Sequence, residues 1–338
     1  MDLNILWFGL LGVLLTGYAI LDGFDLGVGI IHLAARNDSE RRIFLNSIGP
    51  IWDGNPVWLV TFGGAMLAAF PEVYATVFSA FYLPFMLLLF ALILRAVSIE
   101  FRGKLMHDSW RRFWDFGFFF ASALATLLFG IAIANAMGGL PIDAHKEFTG
   151  SFLDLVRPYP IVVGCLAVAM FAMHGSIYLY LKTEGELQRH IHGWMWRSFG
   201  VFLALYMLTT ILTLINYPAA TRNFERAPWV WIVVLLNVLA IANIPRAIYH
   251  NRPVYAFASS SATIAGLVFL FGVALFPNMI VSILNPAWSL TIYNAAASQK
   301  TLGIMSLIAL FGMPFVLAYT GVIYWVFRGK VQLGKFSY

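Results

Sequence analysis

Long apolar runs broken by short polar stretches set the pattern of this chain. The runs reach the ~20 residues that a helix needs to cross a bilayer, and they lack the alternation of barrel strands. Nine spanning helices are predicted, over residues 4–33, 48–70, 74–99, 115–138, 158–182, 195–217, 228–249, 255–277 and 300–327. The second and third meet at Phe70-Pro71-Glu72, where proline cannot continue the helical hydrogen bonding. The alternative there is one re-entrant element over 48–99. With no repeat, low-complexity tract or long linker, the expected architecture is a single all-α integral membrane domain over 1–338. It is arranged as two four-helix bundles plus one peripheral helix.

The polar breaks carry the orientation. With the N-terminus outside, the inner loops and helix ends hold Arg36, Arg41, Arg42, Arg102, Lys104, Arg111, Arg112, Lys182, Arg189, Arg197, Arg246, Arg252, Arg328, Lys330 and Lys335. The outer ones hold Lys146, Arg157, Arg222, Arg226 and Lys300. That asymmetry follows the positive-inside pattern and places the C-terminus in the cytoplasm. Segment 100–114 mixes charge with aromatics and reads as interfacial, while 278–299 reads as a strip packed along the outer surface. The first run has no basic leader and is too long for a signal segment, so it is read as a retained helix.

Composition agrees with the pattern. Hydrophobic residues make up 61% and charged residues 11%, with a mean hydropathy of +0.81. Soluble domains carry about 25% charged residues, so that class is excluded. The net charge of +5 is scattered in loops between membrane segments, which removes nucleic acid as a partner. Cys165, the single cysteine, excludes an intrachain disulfide.

The chemistry concentrates in Asp22-Gly23-Phe24-Asp25 and Trp52-Asp53-Gly54-Asn55. Each carboxylate inside a membrane helix costs roughly 2.5–3.5 kcal/mol on insertion scales, so each needs a partner or a task. Asp22 and Asp25, three apart, share one helix face, and Gly23-xxx-Gly27 lets another backbone approach. Counted from the inner loops, Asp25, Asp53 and Arg95 fall at similar depth on consecutive helices. Asp25 and Asp53 are the carboxylates then available to Arg95. The group reads either as a static ion pair or as a proton-loading cluster open to the cytoplasm. Pro56, inside the predicted second helix, marks a kink or the wall of a pathway. Trp52, Asn55 and Trp58 shape the adjoining pocket. Of the histidines, His174 lies in the apolar region. Haem helices commonly supply paired ligands, so His174 is expected to be a hydrogen-bonded core residue. No metal-binding or nucleotide-binding motif occurs.

These residues carry a resemblance. Asp22-Gly23-Phe24-Asp25-Leu26-Gly27-Val28-Gly29, Arg36-Asn37-Asp38-Ser39-Glu40-Arg41-Arg42 and Asn46 to Asn55 are similar to subunit II of the cytochrome bd quinol oxidases. So are Gly63-Gly64-Ala65, Phe78 to Tyr82, Arg95, Ser289-Leu290-Thr291 and Asn294 to Ser298. The resemblance implies a bacterial inner-membrane oxidase that oxidises quinol and reduces O2 to water. It also implies a larger partner, subunit I, holding two b-type haems and one haem d or a b-type replacement. The present chain would bind no haem or metal and hold no catalytic residue. A small single-helix accessory subunit, lipid and quinone are further partners it implies. The acids matching Asp25 and Asp53 are implicated in proton supply, with Arg95 and Asp22 supporting them, and Trp58 matches a tryptophan tied to an oxygen route. Pro56 stands where relatives have a polar residue, Tyr293 where a Trp is common, and His174 matches no family ligand. Two other readings stand beside this one: a purely structural assembly subunit, and a stand-alone proton-coupled transporter built on a broken helix and midplane acids.

Overall fold

A computed structural model of the chain describes residues 2–334. Lys335, counted above among the tail's basic residues, lies outside them. The helices of ten or more residues are α1 (Leu3–Ile30), α2 (Asp38–Ile48), α3 (Val57–Ala69), α4 (Pro71–Ala80), α5 (Tyr82–Phe101) and α6 (Asp108–Gly138). They continue as α7 (Pro158–Lys182), α8 (Gly185–Asn216), α9 (Val230–Tyr249), α10 (Pro253–Leu275) and α11 (Gln299–Val326). Among the described residues, eight of these are long and apolar enough to cross a membrane, and α3 is a shorter apolar helix.

Local chemistry sets the boundaries. Asp2 caps α1 by accepting from the Asn4 N–H at 2.8 Å. Asn37 caps α2, with Asp38 and Glu40 in its first turn, where the helix dipole favours negative charge. The predicted helix 48–70 is corrected: residues 49–56 are turn, and helix resumes only at Val57. Gly49, Pro50, Gly54 and Pro56 explain the break, since two prolines withhold N–H donors and two glycines favour irregular backbone. At 13 residues, α3 rises about 20 Å, against a hydrocarbon core of ~30 Å.

The predicted helix 74–99 divides into α4 and α5 at Phe81, ahead of Pro84 in the first turn of the new helix. Helices predicted from 115 and 195 begin instead at Asp108 and Gly185. There the apolar run stops before the helix does, so residues 108–114 are the charged first turns of α6.

The packing has a centre. α1 contacts α3, α6, α7 and α10, and α7 contacts α1, α6, α8 and α10. Around the α1–α7 crossing, α3 to α6 gather with α1, and α8 to α10 with α7. α11 lies outside this body, touching α1 and α3, with only 6% of its apolar window buried. One end of the body is closed by Trp7, Phe70, Leu140, Leu155, Ile280 and Leu302. Its cover includes a two-stranded ribbon pairing Asn278–Ile280 with Leu290–Thr291. The opposite end packs Phe24, Ile31, Phe44, Ile99, Phe118 and Leu187.

The crossing depends on two glycines. A Cβ on Gly27 would overlap the Phe171 carbonyl oxygen and lie 2.8 Å from the Gly175 nitrogen. A Cβ on Gly175 would run into the backbone of Gly27 and Val28. The helices touch backbone to backbone, as small residues allow in membranes.

Candidate functional site

The α1 motif Asp22-Gly23-Phe24-Asp25 lies beside this crossing, and both carboxylates are fully buried. They have different surroundings. Arg95 of α5 reaches Asp22 with two bonds, Nη1 to Oδ2 at 2.9 Å and Nη2 to Oδ1 at 2.6 Å. This bidentate geometry suits the guanidinium fork. Arg95 is 2% exposed, so both partners are withdrawn from water. The expectation that Arg95 takes Asp25 or Asp53 is corrected: its carboxylate partner is Asp22. The three-residue offset between Asp22 and Asp25 rotates them by about 60° around the helix, and α5 lies on the Asp22 side.

Asp25 instead faces the 49–56 turn. Asn55 Nδ2 donates to Asp25 Oδ2 at 2.7 Å and to the Leu21 carbonyl at 3.1 Å. Asp25 Oδ1 is buried with no hydrogen-bond partner among the described residues. The Asn55 oxygen accepts from the Tyr324 hydroxyl at 2.9 Å, which comes from α11. Phe24 stacks on Tyr178 with ring centroids 4.0 Å apart and meets Tyr324 edge-on at 6.3 Å. Tyr178 donates to the Ser47 carbonyl at 2.7 Å. An apolar and aromatic wall thus surrounds one carboxylate that has no cation bonded to it.

The other sequence candidates fall around this point. Asp53 is exposed, two residues before Asn55. Its depth inside a helix is corrected to a position in the turn. Trp52 packs at the edge of the core cluster that contains Phe24. Trp58, one turn beyond Asn55, is buried with Leu14 and Tyr18, its indole lying over Gly17. His174 is held on both nitrogens, Nδ1 by Ser260 Oγ at 2.8 Å and Nε2 by the Ile20 carbonyl at 3.1 Å.

A model of the family described as cytochrome bd terminal oxidase subunit II matches residues 3–327. The chain belongs to that family. It is 34% identical to cytochrome bd-I ubiquinol oxidase subunit 2 of Escherichia coli (strain K12), covering 97% of this chain and 95% of that protein. With cytochrome bd ubiquinol oxidase subunit 2 of Bacillus subtilis (strain 168) the identity is 35%, over 98% and 97% of the two chains. The solved bd oxidase from Geobacillus thermodenitrificans has the same fold, with a TM-score of 0.81 over 97% of this chain and 99% of that one, at 17% identity. As a subunit II, the chain works beside a subunit I.

Subunit II carries a second polar cluster that the sequence reading passed over. Asp115 of α6 accepts from His32 Nε2 and Arg102 Nε, each at 2.6 Å, and from Arg41 Nη1 at 3.1 Å. Arg102 continues to Asp38 at 2.7 Å, and Arg111 joins Asp38 at 3.3 Å. The network fastens α2 against the ends of α5 and α6. Beside it, Arg36 grips Glu40 with Nε at 2.9 Å and Nη2 at 2.7 Å. Burial alone would raise Glu40, but the Arg36 side chain and backbone N–H on its carboxylate outweigh that and hold it below its ordinary range. In the sequence the arginines read as charges that orient the chain, and Arg36 to Arg42 as a motif of the resemblance, but nothing there showed the network.

Proposed function

We propose that this subunit II is the haem-free, proton-supplying half of a quinol oxidase that reduces O2 to water in the bacterial cytoplasmic membrane. The observation that carries the reading is Asp25. It is fully buried, one oxygen is held by Asn55, and the other has no partner among the described residues. Arg95 is already committed to Asp22. A purely packing role favours closed pairs, because an uncompensated buried charge is expensive. A carboxylate left with an open oxygen suits a group that takes up and releases a proton.

The reading divides the roles. Asp22 and Arg95 form the fixed pair that holds α1 to α5, and there the structural-subunit reading has its own support. Asp25 carries the proton, Asp53 feeds it from the exposed turn, and Asn55 holds the carboxylate. Trp52 and Trp58 wall the pocket, and an oxygen route past Trp58 belongs to the same proposal. The haems, two b-type and one d-type or its b-type replacement, are assigned to subunit I. His174 has both ring nitrogens hydrogen-bonded within the chain, which suits a core residue. Quinol oxidation is assigned to subunit I as well.

The test is Asp25→Asn in the assembled oxidase. Oxygen consumption with quinol is expected to fall about 100-fold, in the range that loss of a positioned proton-transfer group produces. The haem spectrum and the yield of complex should stay unchanged. Wild-type turnover in that complex removes the reading; loss of haem instead would make Asp25 structural. Asp53→Asn is expected to slow turnover less, since its carboxylate is solvent-accessible and water can substitute for it.

A further inference from the structure

We propose that Tyr324 of the last helix is a positioning residue for the proton carrier, holding the Asn55 amide so that Asp25 takes its proton on Oδ1. This rests on the proton-supply reading above. An asparagine amide has two N–H donors and one carbonyl acceptor. At Asn55 both ends are used: Nδ2 serves Asp25 Oδ2 and the Leu21 carbonyl, and Oδ1 receives the Tyr324 hydroxyl. Turning the amide over would aim its oxygen at a carbonyl and a carboxylate. The Tyr324 hydroxyl, donating to Oδ1, closes the set and leaves one orientation.

That orientation divides the two oxygens of Asp25. Oδ2 is occupied by an N–H donor, which disfavours placing a proton there. Oδ1 has no partner among the described residues and is the atom free to bind one. Tyr324 is not itself a step in the transfer, because the amide between it and Asp25 offers only an N–H on the Asp25 side. Its own position is set by the edge of Phe24, the residue between the two acids. The contact joins residues 269 positions apart, from a helix whose remaining surface is almost wholly outside the fold. The C-terminal helix thus reaches the interior chemistry through one hydroxyl.

Tyr324→Phe in the assembled oxidase keeps the ring and removes only the donor. Turnover is expected to fall about fivefold, the loss one hydrogen bond of ordinary strength produces. The haem spectrum and the KM for quinol should be unchanged. Infrared difference spectra supply a readout that a packing role would not move. The Asp25 carboxyl band, identified by its disappearance in Asp25→Asn, should shift in Tyr324→Phe. Wild-type turnover with an unmoved band overturns the assignment, even while Asp25→Asn remains slow. A loss as deep as that of Asp25→Asn overturns it in the other direction, making Tyr324 part of the transfer. Wild-type turnover in Asp25→Asn itself removes the proton-supply reading, and Tyr324's part in it falls at the same time.

Discussion

Replacing Arg95 with methionine is expected to destabilise the subunit by about 3–5 kcal/mol, the cost of leaving a buried charge without its partner. Asp22 would then stand at 0% exposure with no cation, and its two bonds from the guanidinium would be gone. Because native stability is only ~5–15 kcal/mol, the expected result is little assembled oxidase in the membrane. It would be measured as haem-bearing complex recovered per membrane protein and as a lowered melting temperature in detergent. Asp22→Leu with Arg95→Met is the decisive companion. Replacing both charges by apolar groups of similar bulk is often neutral or stabilising, so the double variant should recover most of the assembly. It should also retain turnover, since Asp25 and Asn55 are untouched. A double variant that assembles but does not turn over would move Asp22 from scaffold into the proton route.

That pair also marks where sequence reasoning reaches its limit. The presence of costly carboxylates at Asp22 and Asp25, and of a buried cation at Arg95, follows from hydropathy alone. Their pairing does not. Depth along a helix is counted from its ends, whereas the choice between Asp22 and Asp25 is a rotation of about 60° about the axis, decided by where α5 packs. Asp53 was misplaced for a related reason. Its depth was counted along a helix that does not exist between Gly49 and Pro56, although those glycines and prolines were the available signal. Pro56, read as a kink or the wall of a pathway inside a helix, is where the turn ends.

Tyr324 and Asp115 were missed on different grounds. An aromatic near the end of an apolar helix is what an interfacial anchor looks like, and nothing local links Tyr324 to a residue 269 positions earlier. Asp115 stood at the edge of an apolar run, and its partners Arg41 and Arg102 were already accounted for by membrane orientation. Charges that satisfy a global rule can also hold a specific network, and only packing separates the two uses. The fold class, by contrast, was legible because each long apolar run has one stable answer in lipid.

Gly27→Ala tests the element on which all of this depends. Gly23-xxx-Gly27 read as a site of close helix approach, and the structure places Gly27 directly on the α7 backbone. An alanine methyl there meets the Phe171 carbonyl oxygen and the Gly175 nitrogen, neither of which can rotate away as a side chain would. α1 and α7 must separate, and the displacement reaches Asp22 and Asp25, which lie within two turns of Gly27. Overpacking a fitted interior costs typically 1–3 kcal/mol and occasionally more. Here two backbones are forced apart at the centre of the body, so the expected loss is about 3 kcal/mol or above. The measured outcome should be a sharp drop in assembled complex. Gly12→Ala on the same helix is the control. A Cβ there has nothing within 4 Å, and alanine favours a helix over glycine by ~0.8–1 kcal/mol, so assembly should be kept. If the two variants behave alike, the glycine contact is not what holds α1 against α7, and the placement of both acids loses its structural cause.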